Sequence, residues 1–244
     1  MNYSKYLNQA NASIPADIAA NLEEPGYTTP LHLNEMNRVL SEKTLQKEAG
    51  YAELENGTWL VAMYCPLPEV TKEMIDWWFW WHPQEDARYQ LWFPGKHYKT
   101  GYAAKDKEYF KASPKPAFRE NTQYPVERVG KIKVPLSISF VTPEHFGFAS
   151  ASLTDNDIAI VVCGHVGAYG GLIQHTEMAH IFFQRNDGLF MASRFWVGER
   201  CKNSFVKRKI ANASSARGMA EHCCIEYRNL AHKLPELYRT FYAT

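Results

Sequence analysis

The sequence predicts an α+β protein in which one long C-terminal helix lies on a large antiparallel sheet, and three observations carry that prediction. From Val126 to Val197 the chain alternates apolar and polar residues in runs separated by turn residues. No βαβ unit follows the one glycine-rich segment, so nothing calls for parallel strands. The last stretch changes period, with Met219, Cys223, Leu230, Leu234 and Leu237 falling at helical spacing.

Residues 1 to about 30, with Pro15, Pro25, Gly26 and Pro30, read as an arm with at most short helices, packed on a partner or on the body. Asn34 to Glu42 is a short helix candidate, and the boundary between arm (1–45) and main domain (46–244) is set there. GYAELENGTWLVAMYC then reads as two strands about an Asn56-Gly57 turn. Thr71 is placed to cap a helix through Trp81 that is apolar on most of its circumference and ends at Pro83. Arg88 to Phe93 reads as a strand, Pro94-Gly95 as a turn, and residues 103–123 as a charged loop and candidate lid. Ile132 to Phe140 alternates as a strand with one buried face, in which Pro135 needs an edge or a bulge. Further strands are expected at Asp157 to Cys163, His175 to Arg185 and Leu189 to Val197, the last two joined through Asn186-Asp187-Gly188. Gly164 to Gly171 reads as a flexible loop, since it lacks the spacing of a phosphate-binding motif. Ser214 and Ser215 are the candidate caps of the terminal helix.

Composition narrows the function. The 244 residues carry 27 Lys+Arg against 26 Asp+Glu, a net charge of +1 without a basic stripe, which argues against nucleic acid as a partner. No apolar run approaches a membrane span and the first residues lack a signal-peptide core, so the protein is expected in the cytoplasm and off the membrane. Five cysteines without a CxxC pair suggest neither disulfides nor a thiolate zinc site. Aromatic residues reach 14%, and Trp77, Trp78, Trp80 and Trp81 fall within five positions, material for a thick core or an apolar pocket.

Two local conflicts point to chemistry. The apolar stripe of the terminal helix also carries His222 and Glu226, one helical turn apart, where a buried carboxylate is costly unless paired or bound to a cation. Glu127, between Val126 and Val129 at the start of a buried strand, repeats the conflict. A metal ion is one solution, and a satisfied polar pair at the rim of the face is the other. His97 after the Pro94-Gly95 turn is a further ligand candidate. His82 reads as a helix-end histidine favoured by the dipole, and His32, His145 and His232 as surface residues. His180, in register with Met178 and Phe182, could face a pocket.

Four segments together resemble one known family. WWFWWHPQEDARYQLWFPGKHY (77–98), YPVERVG (124–130), EMAHIFFQRNDGLFMASRFWVG (177–198) and HCCIEYRNLAHKLPELY (222–238) look like the diacetylphloroglucinol hydrolase and phloretin hydrolase family, in order over about residues 45–240. The resemblance implies a Bet v 1-like helix-grip fold, an incomplete antiparallel barrel around a long C-terminal helix. It implies hydrolysis of a carbon–carbon bond between an acyl group and a phenolic ring, or in another β-diketone-like substrate, with one divalent metal held by His97, Glu127, His222 and Glu226. Two His and two Glu suit Zn²⁺, with Fe²⁺ or Mn²⁺ as alternatives. Tyr89 matches a family tyrosine that binds a substrate hydroxyl, while Thr100 stands where the family pattern has Asn, a departure that bears on which phenol is bound. His180 or His175 is expected to relay a proton, and Trp78 and Trp81 to wall the substrate if they are not simply core. The expected partner is a small phenolic ketone, and the expected assembly a homodimer. A non-catalytic carrier of hydrophobic ligands and an Fe²⁺ oxygenase are the rival readings.

Overall fold

A computed structural model describes residues 3–113, 115–154 and 157–242. The chain opens with helices α1 (Ser4–Leu7) and α2 (Ala16–Asn21), a 3₁₀ turn at Leu33–Glu35, and helices α3 (Arg38–Ser41) and α4 (Lys43–Gln46). Strands β1 (Gly50–Glu53) and β2 (Trp59–Pro68) form the Asn-Gly hairpin read from the sequence, and α5 (Lys72–Trp81) starts at Thr71, whose hydroxyl accepts from the Met74 amide. A 3₁₀ turn (His82–Gln84), α6 (Asp86–Trp92) and β3 (His97–Lys99) follow, then α7 (Lys107–Lys111), β4 (Asn121–Gln123), β5 (Val126–Val129) and β6 (Ile132–Val141). After α8 (Pro143–Phe146) and α9 (Ser150–Thr154) come β7 (Ile158–Ala168), β8 (Ile173–Arg185), β9 (Gly188–Val197), α10 (Ser204–Ile210) and α11 (Ala213–Phe241).

The strands pair antiparallel throughout, in the order β1-β2-β9-β8-β7-β6-β5-β3, with β4 also on β6. Among the described residues β1 and β3 do not pair with each other, so the sheet stays open, and α11 lies on one face, as the helix-grip expectation requires. The second face is covered as well. Val61, Met63, Phe182 and Phe195 point to the core that holds α5 and α11, while their strand neighbours Leu60, Ile181 and Trp196 pack against Leu31, Val39 and Leu40. The N-terminal segment is therefore a layer of the body. Buried Arg194 fastens it by donating to the Leu45 carbonyl, and Trp196 Nε1 donates to the Leu31 carbonyl at 2.8 Å. Tyr3 and Tyr6 join the other core, Tyr3 standing edge-on to Trp81 and Phe241.

Several elements differ from the sequence reading. Residues 88–93 are not a strand: the alternation of Tyr89, Leu91 and Phe93 coincides with a helix, in which Tyr89 and Trp92, three apart, share the face turned to the core. Residues 103–123 are not a free lid, because Tyr109 and Phe110 are buried and the Tyr109 carbonyl accepts from Trp80 Nε1 at 3.0 Å. The segment from Gly164 is strand rather than loop as far as Ala168; a Cβ on Gly164 would meet the Ser139 carbonyl oxygen at 2.6 Å, so glycine marks close strand approach. Pro135 sits where pairing with β7 stops, opposite Val126 of β5, which is the edge position it needs. Helix α10 has no counterpart in the sequence reading. The cap of α11 is Asn212 instead of Ser214 or Ser215: its Oδ1 accepts from the Ser215 amide at 3.0 Å, and Ser215 Oγ accepts from the Asn212 amide at 3.1 Å. Asn212→Ala is expected to lower stability by about 1 kcal/mol in chemical denaturation. Among the described residues no helix is long and apolar enough to cross a membrane.

Candidate metal centre

Helix α11 organises the site. Asn229 Nδ2 donates to the Trp92 carbonyl at 3.0 Å and Lys233 Nζ to the Leu91 carbonyl at 2.9 Å, so successive turns of α11 satisfy the open C-terminal end of α6. The chain leaving α6 turns at once into β3, with the His97 amide on the Phe93 carbonyl at 3.0 Å. His97 stands directly across from Glu127 in the β3–β5 pair, which places both side chains on one sheet face. Gly218 admits the helix to that face: a Cβ there would lie 3.1 Å from Gly130 Cα, so a residue unfavourable inside a helix lets α11 approach the β5–β6 turn. One turn later His222 and Glu226 face His97 and Glu127.

All four side chains are buried, at 2–8% exposure. His97 Nε2 lies 3.1 Å from His222 Nε2, 3.4 Å from Glu127 Oε2 and 3.6 Å from Glu226 Oε2. His222 Nε2 lies 3.8 Å from Glu127 Oε2 and 3.5 Å from Glu226 Oε2. A tetrahedral ion with bonds of about 2.0–2.2 Å separates its ligand atoms by roughly 3.3–3.6 Å. The distances among His97, His222 and Glu226, at 3.1, 3.5 and 3.6 Å, lie around that value, and Glu127 approaches both imidazoles without standing equally close to Glu226.

The tautomers sharpen the point. His97 Nδ1 is 3.2 Å from the Tyr89 carbonyl and His222 Nδ1 is 3.2 Å from the Arg128 carbonyl. A carbonyl can only accept, so both neutral rings carry their proton on Nδ1 and turn bare Nε2 lone pairs toward each other. Two lone pairs and two carboxylate oxygens in one buried space repel unless a cation or a proton lies between them. Burial, helped by His222, holds His97 well below the usual imidazole range. Burial also pulls His222 down, but Glu226 and Glu127 outweigh it and the net shift is upward. The Glu226 carboxyl is raised by burial against the pull of His222. Tyr89 stacks on His97 with ring centres 4.1 Å apart and donates to Glu127 Oε2 at 2.5 Å; burial and the facing carboxylate keep its hydroxyl protonated.

A narrow cavity of about 60 Å³ borders this cluster, walled by Phe79, Trp92, Phe140, Met178 and Phe195 and reaching Tyr89, Glu127, His222 and Glu226. His180 lines it, its Nδ1 2.7 Å from Ser193 Oγ, and burial drives its pKa down to about 3. His175 does not reach it. It falls at a bulge in β8, where the register with β7 passes from Thr176 to Gln174, and its Nδ1 lies 2.8 Å from Thr176 Oγ1. Thr100 also lies outside the lining; its amide donates to Asp86 Oδ1 at 2.8 Å, and its hydroxyl is buried without a partner. Trp78 and Trp81 are core, packed with Trp77 and with each other at 5.9 Å, and the aromatic walls come instead from Phe79, Trp92, Phe140 and Phe195. His82 is no exposed helix-end cation: it is buried beside the cavity and held neutral by that burial, with its pKa near 3. His32 is half-buried, while His145 and His232 are exposed. Gln123 and Ser193, both in the cavity's surroundings, carried no signal in the sequence.

Comparison with known proteins gives this arrangement a family. The family model described as DAPG hydrolase PhiG domain matches residues 31–239. The chain belongs to that family. It is 31% identical to a phloretin hydrolase of Eubacterium ramulus, an alignment covering 98% of this chain and 89% of that protein. It is 30% identical to a 2,4-diacetylphloroglucinol hydrolase of Pseudomonas protegens, covering 98% and 84%. Solved structures with similar outlines include a Staphylococcus aureus protein of unknown function (TM-score 0.40, 10% identity, 78% of this chain and 100% of that one) and an AHSA1-like protein of Aeromonas hydrophila (TM-score 0.35, 10% identity, 72% and 94%).

Proposed function

We propose that this member of the DAPG hydrolase family is a metal-dependent hydrolase that cleaves the carbon–carbon bond between an acyl group and a phenolic ring. The observation that carries the reading is the pair of facing Nε2 atoms, 3.1 Å apart and flanked by two carboxylates. His97, Glu127, His222 and Glu226 would hold Zn²⁺, or Fe²⁺ or Mn²⁺ in its place. Such an ion polarises a carbonyl oxygen and lowers the pKa of water it binds.

The chain's own groups supply the rest. Tyr89 steadies Glu127 and stands at the cavity wall where a ring hydroxyl can meet it. Water adds its hydroxyl to the acyl carbon, the bond from that carbon to the ring breaks, and the ring carbon keeps the electron pair and takes a proton. The products are a carboxylic acid and the deacylated phenol. His180, neutral and with Nδ1 turned to Ser193, holds a proton at Nε2 facing the cavity when Ser193 donates to it, and so can position or pass a proton. The aromatic walls exclude bulk water, while Met178 and Met219 are unbranched side chains that can move aside to admit a substituted ring.

Turnover of an acylphloroglucinol under anaerobic conditions, with one carboxylic acid released per ring, tests the reading. Oxygen consumption would turn it to the oxygenase, and tight binding without turnover to the carrier. Tyr89→Phe is expected to keep the fold and the metal and to reduce kcat/KM by about 10–100-fold, the size typical of losing a partner that orients a metal ligand. Unchanged kinetics would remove Tyr89 from the site.

A further inference from the structure

The cavity wall away from the metal ligands carries two buried side chains whose hydrogen-bonding roles are fixed by backbone carbonyls. His82 Nδ1 lies 2.7 Å from the Trp78 carbonyl, which can only accept. The proton of the neutral ring is therefore on Nδ1, and Nε2 is a bare acceptor. Gln123 is fixed in the same way. Its Nε2 donates to the Phe79 carbonyl at 3.3 Å and to Asn121 Oδ1 at 3.1 Å. Asn121 cannot be turned the other way, because its Nδ2 donates to the Arg119 carbonyl at 2.8 Å. The Gln123 amide thus turns its oxygen to the remaining side, and Gln123 and His82 border the same cavity. Both residues line the cavity at 2–3% exposure, and neither His82 Nε2 nor Gln123 Oε1 receives a donor among the described residues.

Acceptors that border a cavity without a donor are open to a ligand that supplies one. Protonation does not relieve this pair, since burial holds the His82 pKa near 3. The pair also has a defined place relative to the cluster: the His82 ring stacks on Tyr89 at 5.7 Å, and Tyr89 stacks on His97 at 4.1 Å. One aromatic side chain, Tyr89, separates the acceptor pair from the nearest metal-ligand candidate. Phe79, which stands edge-on to His82 at 5.6 Å and to Phe140 at 5.8 Å, makes the surrounding wall apolar.

We propose that His82 and Gln123 form an acceptor-only subsite that binds one phenolic O–H of the substrate ring and rejects a ketone, ether or halogen at that position. A ketone or ether oxygen placed there would set a third acceptor against two. The inference rests on the acylphenol reading and narrows it, because it favours an aromatic phenol over a non-aromatic β-diketone.

The test uses phloroglucinol, which has hydroxyl donors but no bond to hydrolyse, and 1,3,5-trifluorobenzene, which is similar in size and donates nothing. Calorimetric titration of the full chain is expected to give at least about tenfold tighter binding of phloroglucinol, and His82→Phe and Gln123→Met each to shrink that preference at least about threefold. Histidine ¹⁵N NMR of the wild-type protein supplies a readout independent of variant folding: His82 Nε2 should carry no proton in the free protein and should shift on adding phloroglucinol but not trifluorobenzene. A protonated Nε2 in the free protein, no shift with phloroglucinol, or an undiminished preference in folded His82→Phe would overturn the proposal. Binding with the expected shift but no turnover of acylphenols would uphold the subsite and sink the hydrolase reading instead. Turnover without the shift would do the reverse.

Discussion

Purified protein should contain about one zinc, iron or manganese ion per chain, and Glu226→Gln should lose it without losing the fold. Glu226 Oε2 lies within 3.6 Å of both imidazole Nε2 atoms, so its removal takes one donor and one negative charge from the cluster. Disturbing the hydrogen bonds around a metal ligand already costs about 10–100-fold in affinity, so loss of a donor should exceed that, and turnover should fall with it. The apoprotein has no reason to weaken. Burial raises the Glu226 carboxyl, so the carboxylate form is the disfavoured one there, and the neutral amide avoids that cost. Elemental mass spectrometry beside thermal melts separates the two effects. Metal content equal to wild type in Glu226→Gln would refute the site.

Acid should unfold the metal-free protein sharply between about pH 6 and pH 4, below the ordinary histidine pKa of about 6.5. Burial depresses His82 and His180 to about 3 and His175 to about 4. A histidine whose folded pKa is lowered binds its proton more readily when unfolded. Stability from these groups is therefore complete above the unfolded pKa and is lost as pH falls toward the folded values. Each contributes a slope of about 1.4 kcal/mol per pH unit in that window, and three acting together about 4 kcal/mol per pH unit. Two such units remove about 8 kcal/mol, enough to unfold a domain in the lower half of the ordinary range of about 5–15 kcal/mol. Denaturant titrations at pH 7, 6 and 5 with a chelator present would show it, and a stability flat across that range would contradict the burial of these rings.

Much of this architecture was legible because its signals are local. The Asn56-Gly57 hairpin, the Thr71 cap and the stripe of α11 each depend on residues within a few positions. So did the misfit carboxylates Glu127 and Glu226, which stand out against their apolar neighbours. What escaped was decided at a distance. Residues 86–92 satisfy both a period of two and a helical face, and the choice falls to the helix because Asn229 and Lys233 wait at its end. His82 looked like an exposed helix terminus because nothing nearby foretells that Phe79, Tyr89 and Trp92 enclose it. Gln123 lay within a stretch of charge and proline, and its role depends on a carbonyl 44 positions earlier. His175 and His180 share one strand, and a bulge at His175 that only the register with β7 reveals leaves just His180 on the cavity.

The closeness of His97 to His222, 125 positions apart in sequence, has a consequence for the order in which the protein is made. Synthesis runs from the N-terminus, so every strand of the sheet is complete before α11, with two of the four donors, leaves the ribosome. Until then the first-made pair, His97 and Glu127, faces an uncovered sheet and offers an ion only half a cage. An ion captured at the end would close a long loop whose entropy has already been lost to strand pairing. Capture would then act as a latch on a finished chain, and a nascent or truncated chain that stops before Ala213 should neither hold metal nor resist proteolysis.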